Sequence, residues 1–200
     1  MNNKGNLIII SGPSGSGKDT VLNSVLKNHK NIEFSISYAT RPMRKGEIQD
    51  LKYHHISKNE FLHLIKNNEF LEYNEYQGNF YGTAKKPVLD ALNSGKDMII
   101  EVDVNGAANI RKAMPEAISV FILPPSFEIL KKRLTNRGTE TTEEINGRLN
   151  AALEEIKRCN EYTYIIFNDD LDLAVKEFES ILISERLKYK NNKEIIERLF

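Results

Sequence analysis

The segment Ser11-Gly-Pro-Ser-Gly-Ser-Gly-Lys-Asp-Thr20 decides how this chain folds. It follows the apolar run Leu7–Ile10 and leads into a helical pattern that starts at Lys18. Its spacing nearly matches Gly, four residues, Gly-Lys and then Ser or Thr, the pattern of loops that hold nucleotide phosphates. Glycines let backbone amides approach phosphate oxygens closely, and the helix N-terminus adds partial positive charge. The segment therefore predicts a phosphate loop (P-loop) between a buried strand and a helix.

The side chains of this loop indicate which groups take part in phosphate chemistry. Lys18 supplies a mobile positive charge to a transferring phosphate group. Asp19 stands where a hydroxyl ligand of Mg²⁺ is usual, and it is either a carboxylate that favours the helix dipole or a contact to the metal. Thr20 is a candidate metal ligand in an outer-shell role. The residues predicted to contact the phosphates of a bound nucleotide are Gly12, Pro13, Ser14, Gly15, Ser16, Gly17, Lys18, Asp19 and Thr20.

Length and composition are typical of one compact globular domain. The chain has 200 residues, of which 40% are hydrophobic and 28% are charged. Because 28 basic residues cancel 28 acidic ones, no global charge marks a nucleic-acid or membrane-surface binder. The apolar runs are far shorter than the ~20 residues that span a bilayer. No secretory signal precedes the first strand, so we expect a cytoplasmic protein that binds neither nucleic acid nor membrane.

Short apolar runs alternate with helical patterns along the chain, which predicts a parallel sheet covered by helices in an α/β fold. The stretch from Ser37 to Thr83 breaks this rhythm with a basic loop and aromatic strand-like pieces, and indicates an inserted subdomain. The stretch that starts at Arg137 links two charged helices and indicates a mobile flap. The strands are predicted at Asn6–Ser11, Phe34–Ser37, Asp97–Asp103, Ala117–Leu123 and Tyr164–Asn168. The helices are predicted at Lys18–Lys27, Ala84–Ser94, Asn105–Ala113, Phe127–Arg137, Glu143–Cys159 and from Leu171 to about Tyr189.

Further motifs follow the loop in a characteristic order. They are Ser35–Glu47, Phe70-Leu-Glu, Gly78–Thr83, Glu101–Gly106, Arg133–Thr139, Arg148-Leu and Asn168–Asp172. In this order the chain resembles the guanylate kinases, and the resemblance runs from the phosphate loop to Asp172. The departures are modest, with Asp50 and Lys52 before Tyr53, and Asn105 where Gln is common. They leave loop details open without changing the expected reaction.

The resemblance implies a single domain with three parts. These are a core (1–36, 84–136 and 150–200), a GMP-binding subdomain (37–83) and a lid (137–149). It also implies transfer of phosphate from ATP to GMP, giving ADP and GDP, with Mg²⁺ as the cofactor of ATP and domain closure during the reaction. ATP and GMP are the expected partners, and the chain is expected to be a monomer or a homodimer.

The resemblance also implies the residues that hold GMP. Arg41 and Arg44 would grip its phosphate, helped by the hydroxyls of Tyr53 and Tyr81. Forked guanidiniums match phosphate oxygens bidentately, although two arginines in such a loop are otherwise usually solvated. Glu72 would accept hydrogen bonds from the ring N–H and the amine of guanine, with Ser37 and Thr83 assisting. Without the resemblance, a solvated strand residue is an equal interpretation of Glu72.

The remaining candidate residues concern the transferring phosphate. Asp103 follows an apolar strand and would reach the metal through water, and Glu101 shares its strand face. A cap at the strand end is the alternative for Asp103. Arginines on the flap would stabilise charge in the transition state. The residues that match the family there are Arg133, Arg137 and Arg148, with Asn168 near the base of ATP.

Three rival functions remain open at this stage. One is a monophosphate kinase with another base preference, against which Glu72 argues. Another is a guanylate-kinase-like module that binds protein partners without catalysis, against which Lys18 and Asp103 argue. A P-loop switch that hydrolyses nucleotide is the third, and no partner-contact signature supports it.

Overall fold

The computed structural model describes residues 4–44, 46–76, 78–135 and 142–200. The strands in these ranges are β1 (Leu7–Ser11), β2 (Ile32–Phe34), β3 (Ser37–Ala39), β4 (Tyr53–His55), β5 (Phe70–Tyr76), β6 (Asn79–Ala84), β7 (Asp97–Glu101), β8 (Ile118–Leu123) and β9 (Tyr164–Phe167). The helices are α1 (Lys18–Asn28), α2 (Lys58–Lys66), α3 (Lys85–Asn93), α4 (Val104–Ala113), α5 (Phe127–Thr135), α6 (Thr142–Lys157), α7 (Leu171–Leu187) and α8 (Tyr189–Glu197).

The larger sheet has the strand order β2-β7-β1-β8-β9. The pairs β2–β7 and β8–β9 are parallel, with Ile32 opposite Asp97 and Val120 opposite Tyr164. In β1, Ile10 and its two isoleucine neighbours are fully buried, and each such side chain stabilises the fold by about 1.5–3 kcal/mol. The predicted α/β fold with a parallel sheet and flanking helices is confirmed.

The chain divides into two compact units, and the division falls within β1. The first unit comprises Ile10–Lys30 and Ser119–Phe200. It contains the phosphate loop, and α1 packs on α7 with His29 Nε2 2.9 Å from Glu179 Oε1. The second unit comprises the described residues up to Ile9 together with Asn31–Ile118. No helix within the described ranges is both long and apolar enough to cross a membrane.

The second unit holds a smaller sheet with the order β4-β3-β6-β5. Strands β3 and β4 are parallel, whereas β6 pairs antiparallel with both β3 and β5. Phe61 of α2 is fully buried, and its ring stacks on Phe70 at 4.5 Å and on Phe80 at 5.4 Å between centroids. These aromatic rings form the core that fixes the smaller sheet against α2.

Several predicted boundaries are wrong, three of them at a change from one element to the next. The single strand expected at Phe34–Ser37 is two strands, because β2 ends at Phe34 in one sheet and β3 starts at Ser37 in the other. The strand expected to reach Asp103 ends at Glu101, since the Asp103 carboxylate caps α4. The helix expected up to Tyr189 ends at Leu187, and a separate helix follows.

Candidate active site

The phosphate loop needs glycine at two positions for different reasons. Gly17 precedes α1 with φ of 84°, in the left-handed region that favours glycine. A Cβ atom on Gly17 would lie 2.2 Å from Asn168 Nδ2, and one on Gly12 would lie 2.3 Å from the carbonyl oxygen of Ile122. Side chains are therefore excluded at both places, and the loop backbone packs directly on β8 and on the residue after β9.

Arg133 and Asn168, two residues predicted to contact ATP, support this loop through hydrogen bonds. Asn168 is 6% exposed, and its Nδ2 donates to the carbonyl oxygen of Ser16 at 2.8 Å. Arg133 Nη1 donates to the same carbonyl at 3.1 Å, and its Nη2 donates to the carbonyl of Asn168 at 3.1 Å. The structure thus brings Arg133 and Asn168 to the loop, where they hold its backbone in shape. Sequence reasoning missed this bracing role.

The other predicted residues of this unit lie around the same loop. Arg148 of α6 donates through Nη2 to Ser14 Oγ at 2.6 Å. Lys18 is the first residue of α1, and Asp19 and Thr20 follow it in the first turn, where both are exposed. Arg137 lies outside the described residues, as does the start of the predicted lid.

In the second unit, Arg41 is held by a carboxylate that the sequence did not single out. Arg41 is 9% exposed, and its Nη1 and Nη2 donate to Glu47 Oε2 and Oε1 at 2.7 and 2.5 Å. Nη1 also donates to the carbonyl oxygen of Pro42, and the guanidinium lies 5.0 Å from the ring centre of Tyr53. The Arg41 guanidinium, together with the backbone N–H of Arg44, lowers the pKa of Glu47 to about 2.

The remaining predicted phosphate contacts of this unit differ in exposure. Arg44 has an exposed side chain, and its backbone N–H donates to Glu47 Oε2 at 2.7 Å. Tyr53 and Tyr81 lie edge to face with ring centres 6.1 Å apart, and burial raises the pKa of Tyr53. His55 Nδ1 is 3.0 Å from the carbonyl oxygen of Arg41 and must donate, because a carbonyl only accepts.

Two of the predicted base contacts, Glu72 and Thr83, come together across neighbouring strands. Glu72 of β5 lies opposite Thr83 of β6, and Thr83 Oγ1 donates to Glu72 Oε1 at 2.8 Å. Ser37, Glu72 and Thr83 are all buried. Burial, with the charge of Asp103 adding to it, raises the pKa of Glu72 to about 7. A Cβ atom on Gly106 would lie 3.2 Å from Glu72 Oε2, so glycine there leaves room for the carboxylate.

Two further acidic residues are paired within the second unit. Glu101 Oε2 lies 2.8 Å from Lys52 Nζ, one of the positions at which the sequence departs from the family. Asp103 accepts from the backbone N–H groups of Asn105 and Gly106, which supports the cap as one of its roles. Asn74 Nδ2 donates to both oxygens of Asp103, at 2.9 and 3.0 Å.

Comparison with known proteins identifies the family. The sequence profile described as "Guanylate kinase" matches residues 4–185. This chain belongs to the guanylate kinase family. A guanylate kinase of Carboxydothermus hydrogenoformans is 48% identical over 187 residues, which cover 94% of this chain and 92% of that protein. A guanylate kinase of Clostridioides difficile is 44% identical, covering 96% of this chain and 94% of that protein.

A solved structure of the guanylate kinase family agrees with the fold. The crystal structure of guanylate kinase from Anaplasma phagocytophilum superposes with a TM-score of 0.78 at 34% sequence identity. It covers 93% of this chain and 88% of that chain. The parallel sheet and its flanking helices therefore agree with the fold of a guanylate kinase.

In this member of the guanylate kinase family, Glu47, Lys52 and Asn74 contact candidate site residues, and sequence reasoning did not assign them. Glu47 stands three residues after Arg44 in a loop, and only the folded loop turns it back to Arg41. Lys52 pairs with Glu101, which is 49 positions away in the sequence. Asn74 bonds to Asp103, which is 29 positions away. No local pattern encodes such contacts, although two polar residues at alternate positions of a strand, Glu72 and Asn74, are a signal of a shared face.

Proposed function

We propose that this chain transfers the terminal phosphate of ATP to GMP and releases ADP and GDP, as a step of purine nucleotide metabolism. The observation that carries the proposal is the buried Glu72 carboxylate beside Thr83. Guanine presents a ring N–H and an amine on one edge, and a carboxylate accepts both. Adenine has no such pair of donors, so a site built around Glu72 rejects AMP because its buried carboxylate would lack the two donors that guanine adds to Thr83.

The phosphate loop supports ATP as the phosphate donor. Its backbone is held in shape by Arg133 and Asn168, so the amides are preorganised before a nucleotide arrives. Lys18 stands at the start of α1, where it places a charge on the transferring phosphate. Arg148 lies beside Ser14 of the loop and adds a second charge as the reaction proceeds. Catalysis by such groups is positioning plus charge stabilisation, and it needs no covalent intermediate.

Arg41 supports a phosphate acceptor in the second unit. Glu47 fixes one edge of its guanidinium, so the side chain is aligned before the phosphate of GMP binds. Arg44, Tyr53 and Tyr81 complete the proposed phosphate contacts. Arg137 and the closure of the lid remain predictions, because Arg137 lies outside the described residues.

Magnesium fits the oxygen donors beside the phosphate loop. Mg²⁺ is usually held by one or two protein oxygens together with phosphates and water, and when bound it neutralises charge on the phosphates. Within the described residues, no group of three or more His, Cys, Asp or Glu side chains could hold a metal alone. Thr20 is the proposed protein ligand, with Asp19 as a further candidate. Asp103 already accepts from Asn74 and two backbone amides, so a contact through water suits it.

The cellular location and the assembly state are further parts of the proposal. We infer a cytoplasmic location, because ATP and GMP are nucleotides of that compartment and the proposed reaction needs both. A monomer or a homodimer is expected, and neither nucleic acid nor membrane is proposed as a partner.

The proposal is tested by ADP production from MgATP with AMP, GMP, CMP, UMP or dTMP as acceptor. GMP is expected to stimulate ADP release by at least about a hundredfold over AMP, the discrimination that a site with buried polar groups achieves. Equal stimulation by AMP would assign the chain to another base preference. Nucleotide binding without turnover for any acceptor would favour a non-catalytic binding module instead.

A further inference from the structure

Asn74 has a buried oxygen that no contact within the described part of the chain satisfies. Its Nδ2 lies 2.9 and 3.0 Å from the two oxygens of Asp103. Because carboxylate oxygens accept hydrogen bonds, the amide nitrogen must face Asp103, and this fixes the orientation of the amide group. Asn74 Oδ1 is the remaining acceptor, and it is buried without a hydrogen-bond partner.

A buried acceptor without a donor is costly, so such an atom needs an explanation. Turning the amide around does not remove the cost, because Oδ1 would then face the Asp103 carboxylate. Asp103 is itself held in place by the backbone N–H groups of Asn105 and Gly106. Asn74 Oδ1 is therefore an acceptor that can take a hydrogen bond from a donor outside the described part of the chain.

The position of Asn74 in the smaller sheet indicates where that donor comes from. Asn74 follows Glu72 by two residues, so both side chains lie on the same face of β5. In the paired strands, Glu72 lies opposite Thr83 and Asn74 lies opposite Tyr81. Under the proposed function, Glu72 and Thr83 contact the base of GMP, and Tyr81 contacts its phosphate. The ribose connects these two parts of the nucleotide, and its hydroxyl groups are hydrogen-bond donors.

We propose that Asn74 Oδ1 accepts a hydrogen bond from a ribose hydroxyl of the acceptor nucleotide, and that Asn74 thereby favours a ribonucleotide over its deoxy analogues. The inference rests on the proposed function, because it takes GMP as the acceptor. It adds a specificity-determining contact that is separate from the base contact of Glu72. A deoxy analogue leaves Oδ1 buried and unpaired, so the discrimination comes from the cost of that unpaired acceptor.

The test compares GMP with 2′-deoxy-GMP and 3′-deoxy-GMP as acceptors, using kcat/KM for each. The unsubstituted chain is expected to prefer GMP over at least one analogue by about tenfold, the scale of one satisfied buried hydrogen bond. The analogue that loses activity identifies the hydroxyl. In Asn74→Ala the preference for GMP is expected to fall to about one, and the exposed Asn93→Ala serves as the matched control.

Several outcomes would overturn the inference. The unsubstituted chain could use all three acceptors equally, or Asn74→Ala could slow all three by the same factor, as expected if Asn74 only positions Asp103. IMP lacks the amine of guanine, so a change in the GMP-to-IMP ratio alone would assign Oδ1 to the base. If Asn74→Ala does not fold, Asn74→Ser removes the same amide and is measured instead. Absence of turnover with GMP in the unsubstituted chain would mean that the proposed function has failed.

Discussion

The phosphate loop and the acceptor region, which is the set of proposed GMP contacts around Arg41 and Glu72, differ in how they are arranged to bind an anion. In the loop, backbone amides at the start of α1 form the proposed site, and Arg133 and Asn168 hold the loop through hydrogen bonds to carbonyl oxygens. In the acceptor region, side chains form the proposed site, and they already form ion pairs and hydrogen bonds with each other. Arg41 is bonded to Glu47, and Glu101 is paired with Lys52.

This difference has a physical consequence. Backbone dipoles carry no net charge and do not titrate, so the loop binds phosphates in the same way over a wide pH range. Side-chain charges that pair internally must share or exchange partners when a ligand arrives. The acceptor region should therefore control selectivity and pH dependence, whereas the loop should control the rate of phosphate transfer.

The largest effect is expected from Lys18→Ala. This substitution removes the positive charge of the lysine and leaves only the backbone dipoles of the phosphate loop. We expect kcat to fall on the order of 10³-fold with KM for GMP little changed, since the charge acts on the transferring phosphate. Steady-state kinetics with both substrates measures this, and Lys27→Ala in the last turn of α1 is the control. A change confined to KM for GMP would contradict the assignment of the transfer rate to the phosphate loop and of selectivity to the acceptor region.

A smaller, pH-dependent effect is expected from Glu72. Its pKa of about 7 means that the carboxyl group is largely protonated at pH 6 and largely ionised at pH 8. GMP requires the ionised form, so KM for GMP should be about tenfold higher at pH 6, and binding should release close to one proton there. Calorimetry in two buffers of different ionisation enthalpy measures that proton.

The raised pKa of Glu72 also predicts how the free energy of unfolding changes with pH. The variant Glu72→Gln provides the control for both effects. Because the pKa of Glu72 is raised from 4.5 to about 7, the folded state binds more protons in that window, and the free energy of unfolding falls as pH rises through it. Glu72→Gln should abolish both the proton release and the pH effect, while exposed Glu75→Gln leaves them unchanged. Proton release that persists in Glu72→Gln would assign it to another group.

An effect no larger than that of Glu72 is expected from Glu47→Gln. The substitution removes a carboxylate that stays ionised because its pKa is about 2, and with it the two charged bonds that align Arg41. KM for GMP should rise about tenfold, the scale of one charge-assisted hydrogen bond, while KM for ATP stays constant. Exposed Glu69→Gln is the matched control. A lower KM for GMP would show that Glu47 competes with the phosphate instead of positioning Arg41.

Prediction from the sequence succeeded where the determining contacts are local. The run Leu7–Ile10 is a buried strand as predicted, because near-continuous hydrophobicity suits a strand covered on both faces. It failed at Phe34–Ser37, because the sequence does not show that the chain leaves one sheet and enters another there. It also extended one strand to Asp103, since an N-cap and a strand end look alike until the following helix is known.

The sequence by itself determined the α/β class, the phosphate loop and the family, because contiguous residues encode each of them through spacing and residue type. Only the tertiary structure decided which groups satisfy each other in the acceptor region. Glu47 turns back to Arg41, Thr83 donates to Glu72, and Asn74 braces Asp103 while its own oxygen stays unpaired. The physical reason is that these bonds depend on strand register and loop closure, which join residues distant in the chain, whereas the loop and its helix form from neighbours.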